Sequence, residues 1–330
     1  MPYLSLIIPV YNRPQEIKEL LESLAHQTAK DFEVIIVEDG SQISSQEIVE
    51  SYRQRLTLFY YFIPNGGPGK ARNYGAAKAS GKYLIVLDSD CIIPPNYIKN
   101  VSDEIKAIGS DAFGGPDKAA DDFTDIQKAI NYSMTSFFTT GGIRGGKKKM
   151  DKFYPRSFNM GIKKEIYEQL NGFSDMRFGE DIDFSIRLYK AGCNVCLFPA
   201  AWVYHKRRTD WRKFFRQVYN SGIARINLYL KYPDSLKLVH LLPAIFTMGA
   251  IALIIGSFFS VLTLFPLLIY SLLLFSDAAI ETRSLKIGFL SILAAFVQLI
   301  GYGCGFLYAV WRRIILKKNE FSAFEKNFYK

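Results

Sequence analysis

The sequence predicts an α/β domain on a mostly parallel central sheet, followed by C-terminal helices apolar enough to enter a membrane. Three observations carry this. Through the first 120 residues, short apolar runs alternate with helical stripes, the pattern of βαβ units. Those runs end in polar clusters, Tyr11-Asn12-Arg13, Glu38-Asp39 and Asp88-Ser89-Asp90, where open parallel sheets bind ligands. Farther on, the 39 residues between Lys237 and Asp277 and the 25 between Lys286 and Arg312 hold no Asp, Glu, Lys or Arg.

Leu4–Pro9 is a continuous apolar run, as in a strand buried on both faces. Ile17, Leu20, Leu21 and Leu24 follow at helical spacing. Val34–Val37 is a second buried strand, closed by Glu38-Asp39-Gly40-Ser41, and Leu58–Ile63 a third. Asn65–Gly69 is a loop, Ala71–Ala79 a helix closed by Gly81, and Tyr83–Leu87 a fourth strand. From about 110 to 160 the pattern is less regular, and Gly141–Met150, rich in Gly and Lys, is expected to be a loop that closes over a bound ligand. Phe178–Tyr189 reads as a helix entered through Gly179-Glu180-Asp181, and Cys193–Phe198 and Trp202–Tyr204 as strands. Trp211–Leu230 is basic, aromatic and partly amphipathic.

A helix needs about 20 apolar residues to cross a bilayer. The first uncharged run suits a hairpin turning near Gly256–Ser260 or Pro266, and the second suits one helix. A membrane domain, 236–330, with segments at about 238–258, 261–276 and 286–312, is therefore expected after a soluble domain, 1–235. Met1-Pro2-Tyr3 leads into an apolar strand without a basic leader, so the soluble domain is expected on the cytoplasmic face of the cell membrane. Lys206, Arg207, Arg208, Arg212, Lys213 and Arg216 before the first span agree with this. Arg312, Arg313, Lys317 and Lys318 also favour the cytoplasm. That demands an even number of crossings, against three apolar segments, one of which is then re-entrant or interfacial.

The formal net charge of +10 invites a nucleic-acid reading. Residues 1–200, however, carry 24 basic against 25 acidic side chains. The excess lies in 201–237, with 9 against 2, and in 238–330, with 8 against 4. It is a collar beside the apolar segments that anionic lipids attract, and no nucleic-acid partner is expected. Four cysteines are too few for a disulfide scaffold, and Cys193 and Cys196 lack the second pair of a zinc site.

Asp88-Ser89-Asp90 places two carboxylates at a strand end. They suit either a shared Mg²⁺ or Mn²⁺, which takes oxygen ligands from carboxylates and substrate phosphates, or a solvated turn. Lys70 and Arg72 at a helix start suit an anion, but Pro64 and Ala71 exclude a Walker A loop. Glu180, Asp181 and Asp183 are either a general base with its neighbours or acids favoured by the helix dipole. His205 is either a metal ligand or structural.

In order, the chain reads Leu6-Ile7-Ile8-Pro9-Val10-Tyr11-Asn12, Ile35-Ile36-Val37-Glu38-Asp39-Gly40-Ser41, Gly69-Lys70-Ala71-Arg72-Asn73-Tyr74-Gly75 and Leu87-Asp88-Ser89-Asp90. Then come Phe158-Asn159-Met160-Gly161, Gly172-Phe173, Gly179-Glu180-Asp181-Ile182-Asp183 and His205. Over residues 3–225 this resembles the family 2 inverting glycosyltransferases, whose GT-A fold is a Rossmann-like nucleotide-sugar-binding domain. The resemblance implies that Pro9 and Tyr11 flank the nucleotide base and Asp39 hydrogen-bonds it. Arg72 and Lys70 would approach the base and diphosphate. Asp88, with Ser89, would meet the ribose or sugar, and Asp90, with His205 and Asp88, a Mg²⁺ or Mn²⁺ ion. Asp181 would deprotonate the acceptor, and Glu180 would orient it.

Two departures are informative. Glu38 replaces the first Asp of the usual D-D-G-S, and Arg216-Gln217-Val218-Tyr219-Asn220 stands where processive synthases carry Q-x-x-R-W. The expectation is therefore one sugar transferred from a nucleotide-diphosphate-sugar donor to a polyprenyl phosphate, a lipid-linked glycan or a glycolipid, in cell-envelope polysaccharide or glycoconjugate synthesis. A sugar nucleotidyltransferase would need a Gly-rich first turn, and here that turn is Pro9–Arg13. A non-catalytic nucleotide-sugar-binding membrane protein would not need Asp90, Asp181 and His205 together. Oligomeric state is not legible.

Overall fold

The computed structural model describes residues 2–118, 123–141, 153–176, 178–206 and 209–319. Two compact units form, one from 2–118 and 153–206, the other from 123–141 and 209–319. The soluble and membrane parts expected at 1–235 and 236–330 are thus divided differently in packing. The helix after residue 210 joins the apolar helices because its buried face packs on them.

The first unit runs β1 (Leu4–Val10), α1 (Pro14–Ala25), β2 (Phe32–Asp39), α2 (Gln46–Ser51), β3 (Leu58–Ile63), α3 (Pro68–Lys78), β4 (Tyr83–Leu87), β5 (Cys91–Ile92), α4 (Tyr97–Ile108), β6 (Ala112–Gly114) and β7 (Asp117–Lys118). After α5 (Asp125–Thr135) and α6 (Phe137–Thr140) of the second unit, it resumes with β8 (Asn159–Lys163), α7 (Lys164–Gln169), α8 (Glu180–Lys190), β9 (Val195–Leu197) and β10 (Val203–His205). The main sheet has the order β3-β2-β1-β4-β8-β6-β9, and a small one the order β5-β10-β7. β3, β2, β1 and β4 are parallel, and β8 is antiparallel to both β4 and β6. The main sheet is mostly parallel, as predicted.

Alternation along β1 builds both cores. Leu4, Leu6, Ile8 and Val10 pack with Ile17, Leu20, Leu21 and Leu24 of α1, while Ile7 packs with Ile35, Val37, Ala71 and Ala76 on the other face. β2 runs two residues past its apolar stretch, because Glu38 and Asp39 stay paired with Phe62 and Ile63 of β3. Helix α8 begins at Glu180, two residues later than the apolar pattern suggests, since Gly179 caps it at φ 84°. The loop expected at Gly141–Met150 lies, apart from Gly141, outside the described residues, as do Arg207 and Arg208.

The second unit adds α9 (Trp211–Lys231), α10 (Leu242–Gly256), α11 (Phe265–Thr282) and α12 (Leu285–Ala309). Three apolar segments are long enough to cross a membrane, Leu238–Gly256, Val261–Thr282 and Leu285–Ile315. The second continues through Asp277 and Glu281 rather than stopping near 276, and the Tyr132 hydroxyl donates to Asp277 at 2.6 Å. The segments differ in surroundings: in an apolar 18-residue stretch of each, 17% and 11% of the residues are buried in the first two, against 44% in the third. α12 is sheathed by α9, which approaches to backbone contact. A Cβ on Gly222 would meet the Tyr302 carbonyl at 2.2 Å, and one on Gly305 the Tyr219 carbonyl at 2.0 Å. Small residues permit such contact between helices.

α3 sits close to the sheet in the same way, since a Cβ on Gly75 would lie 2.6 Å from the Ile7 side chain and 3.2 Å from Val37. Gly75→Val is expected to destabilise the protein by about 1–3 kcal/mol through overpacking, read as a lowered melting temperature in detergent. An unchanged melting temperature would contradict this close approach.

Candidate active site

The parallel register brings the carboxyl ends of β1 to β4 to one edge of the sheet, with Val10 beside Glu38, Asp39 beside Ile63 and Ile7 beside Val86. Beyond β1, Asn12 takes φ 53°, a left-handed conformation that Asn tolerates. Its amide donates to Ser41 Oγ at 2.8 Å, and its side-chain oxygen accepts from the amides of Gln42 (2.7 Å) and Ile43 (3.0 Å). The first two strand ends are thereby fastened together. Pro9 is buried within β1, and Tyr11 is half-buried just past its end.

Asp39 is buried and accepts from the amides of Gly66 (2.6 Å) and Gly67 (2.9 Å), fixing the loop before α3. Glu38 turns to another loop, accepting from the Ser45 amide at 2.8 Å and the Tyr60 hydroxyl at 3.0 Å. The departure from D-D-G-S therefore leaves Asp39 in place. Lys70, on the first turn of α3, is exposed.

Arg72 lies one turn into α3, fully buried against the Phe173 ring at 5.3 Å. Its two terminal nitrogens divide between acids from different elements, Asp88 Oδ1 at 2.9 Å and Glu180 Oε1 at 2.8 Å. Burial opposes the guanidinium charge, but Asp88 and Glu180 outweigh it and raise the pKa. For Glu180, burial pushes the pKa up, Arg72 pulls it back, and neighbouring Asp181 adds to the rise. The turn carrying Phe173 is held by Asn73, which accepts from the Phe173 amide and the Tyr167 hydroxyl and donates to the Phe173 carbonyl.

The small sheet brings His205 to Asp90. β10 pairs with β5 so that His205 faces Cys91, and His205 Nε2 lies 3.2 Å from Asp90 Oδ1. The imidazole stacks on Phe158 at 4.9 Å. Asn159 steadies the approach to β10, donating to the Ala201 carbonyl at 2.7 Å while accepting from the Tyr97 hydroxyl. The other oxygen of Asp90 meets Arg13 Nη1 at 2.5 Å.

Asp90, Cys91 and His205 hold ligand atoms within 4.8 Å of one another. The carboxylate suits Mg²⁺ or Mn²⁺, which complete their shells with water and phosphate oxygens, and the imidazole is a ligand better matched to Mn²⁺ than to Mg²⁺. The Cys91 thiol suits neither ion, because burial raises its pKa well above the ordinary value and its hydrogen donates to the Phe158 carbonyl. Asp88 is outside this group and pairs with Arg72. Ser89 is buried between the two acids in sequence.

At the start of α8 the buried Asp181 is aimed from both sides, its Oδ1 accepting from the Ile182 amide at 2.8 Å and its Oδ2 lying 3.0 Å from Arg156 Nε. Asp183 is fully buried against Arg187 at 3.0 Å, and Arg187 in turn donates to the carbonyls of Leu170 and Gly172. Asp183 therefore fastens α8 to the preceding turn. Arg156 carries no motif or periodicity that points to Asp181, and Arg13 is visible only as a member of the polar cluster after β1.

The model of glycosyl transferase family 2 matches residues 5–170. Among curated proteins, the probable glycosyltransferase YdaM of Bacillus subtilis is 27% identical over 243 residues, 70% of this chain and 56% of its own length. The uncharacterized glycosyltransferase EpsJ of the same organism is 28% identical over 197 residues, 58% of this chain and 57% of its own length. The chain thus spans little more than half of either relative. Among solved structures, mannosyltransferase PcManGT from Pyrobaculum calidifontis, in complex with GDP-Man and Mn²⁺, superposes with a TM-score of 0.64 at 16% identity. The match covers 94% of this chain and 88% of that one. At that identity the likeness is one of fold.

Arg72→Met removes the buried guanidinium paired with Asp88 and Glu180 and is expected to cost about 3–5 kcal/mol. Adding Glu180→Gln should recover part of this, because one of the orphaned charges is then gone. Thermal unfolding of both variants checks it; an Arg72→Met protein as stable as wild type would contradict the bridging role.

Proposed function

Because the chain belongs to glycosyl transferase family 2, we propose that this glycosyltransferase moves a single sugar, with inversion, from a nucleotide-diphosphate sugar to a lipid-linked acceptor at the cytoplasmic face of a cell membrane, in cell-envelope polysaccharide or glycoconjugate synthesis. The observation that carries the reading is the gathering of differently partnered acids in the first unit: Asp88 on Arg72, Asp90 on His205 and Asp181 on Arg156. Such separated environments suit acids with separate tasks.

In this reading an acceptor oxygen attacks the anomeric carbon from the face opposite the diphosphate. The new C–O bond forms as the bond from that carbon to the diphosphate oxygen breaks, and its electron pair leaves with the nucleoside diphosphate. Asp181 takes the proton of a hydroxyl acceptor; a phosphate acceptor makes little demand on it. Glu180 orients the acceptor side. Pro9, Tyr11 and Asp39 serve the base, Lys70 the diphosphate, and Asp88 and Ser89 the ribose or sugar. Arg72, with both terminal nitrogens engaged, acts by positioning Asp88 and Glu180. A Mg²⁺ or Mn²⁺ ion held by Asp90 and His205 would offset the charge on the departing diphosphate. A fold neighbour that is a mannosyltransferase holding GDP-Man and Mn²⁺ supports both donor class and metal. Single transfer is supported by Arg216–Asn220 in place of Q-x-x-R-W.

The same reading favours an even number of membrane crossings. Arg212, Lys213 and Arg216 of α9 are exposed, while the opposite face of α9 covers α12. Charged side chains are expensive in hydrocarbon, so α12 stays with α9 at the interface. α10 and α11, whose apolar side chains are largely exposed, enter the bilayer and return.

Asp181→Asn should keep donor binding while sugar transfer, followed as nucleoside diphosphate release over a panel of donors, falls by about 100-fold or more. Transfer at the wild-type rate would remove Asp181 from the base role. For topology, Lys317→Cys in a background with the native cysteines changed to Ser should react with an impermeant maleimide only from the cytoplasmic side. Labelling of intact cells from outside would contradict the even count.

A further inference from the structure

Arg13 has no part in the reading above, yet it makes a close contact with Asp90 of the proposed metal site. Its Nη1 lies 2.5 Å from Asp90 Oδ2, while His205 Nε2 lies 3.2 Å from Oδ1. The two partners differ in freedom. Asp90 is 10% exposed and Arg13 32% exposed in their side chains, so the carboxylate stays where the guanidinium can swing outward. The backbone of Arg13 cannot follow, because Asn12 before it is fastened to Ser41, Gln42 and Ile43, and Pro14 after it begins α1.

We propose that Arg13 is a resident counter-ion of the metal site: its guanidinium pairs with one oxygen of the carboxylate whose other oxygen faces His205, and a divalent cation binds tightly only when that guanidinium is drawn away. This rests on the reading of Asp90 and His205 as metal ligands. A carboxylate already paired with a guanidinium presents little net charge to a dication. The attraction is restored when a nucleoside diphosphate brings its own negative charge and offers the displaced guanidinium an anion it binds well. Arg13 therefore makes the site weak for metal alone and couples metal entry to donor entry, a reciprocal coupling of two ligands.

The test is Mn²⁺ binding to the full chain in detergent without nucleotide, followed by the electron paramagnetic resonance signal of free Mn²⁺. Arg13→Gln, and Arg13→Met as a second neutral variant, should bind Mn²⁺ about fivefold more tightly than wild type or beyond, the scale on which one partly exposed ion pair competes. Arg13→Lys, which keeps the charge, should stay near wild type. Asp90→Asn should abolish binding in every background. If Asp90→Asn abolishes binding while the neutral variants bind no better than wild type, the counter-ion role is wrong and the metal site stands. If Asp90→Asn leaves binding unchanged, or no variant binds Mn²⁺, the metal site itself falls and this role falls with it.

Discussion

A buried guanidinium must find acids or leave its charge uncompensated in a medium that penalises it severely. Arg72 meets this demand by taking one acid from the end of β4 and one from the start of α8. These elements lie far apart in sequence, and Asp88 and Glu180 are each bound to it through one oxygen. The position of α8, and with it that of Asp181, is therefore tied to the strand end that carries Asp88 and Asp90. Lys at position 72 could not serve both partners in this way, since the planar fork of Arg reaches two acceptors at fixed angles.

The rest of the first unit supports that bridge. α3 presents Arg72 because Gly75 allows the helix to lie on Ile7 and Val37. Asn73, on the same helix, locks the Gly172-Phe173 turn beneath the guanidinium, and Asp183 ties α8 to that turn through Arg187. Asp39 holds the loop that enters α3. Several residues of the family motif thus act on one another, and a change in any of them is felt at the acids.

The sequence is most legible where secondary structure is long. β1, β2 and β4 stand out as apolar runs because both their faces are buried, and the apolar segments stand out because runs of 39 and 25 residues hold no Asp, Glu, Lys or Arg. Contacts made by short elements are not legible. β5 and β10 have two and three residues, too few for periodicity, yet their pairing brings His205 to Asp90. Arg13 and Asp90 are 77 positions apart, and no spacing rule joins them. α5 carries a readable start, a capping box between Thr124 and Gln127, but its packing on α12 depends on a surface that only folding creates. The basic collar is legible as charge. That one face of α9 covers α12 is not, because its buried face is interrupted by Gly222 and Asn227.

The central claim is a direct displacement at the anomeric carbon by an acceptor activated at the start of α8. The configuration of the transferred sugar tests this without reference to which sugar or acceptor is used. Proton NMR of the product of one turnover, from whichever donor the purified full chain consumes, should show the anomeric configuration opposite to that of the donor. Retained configuration would mean a double displacement or another attacking face, and would contradict the account.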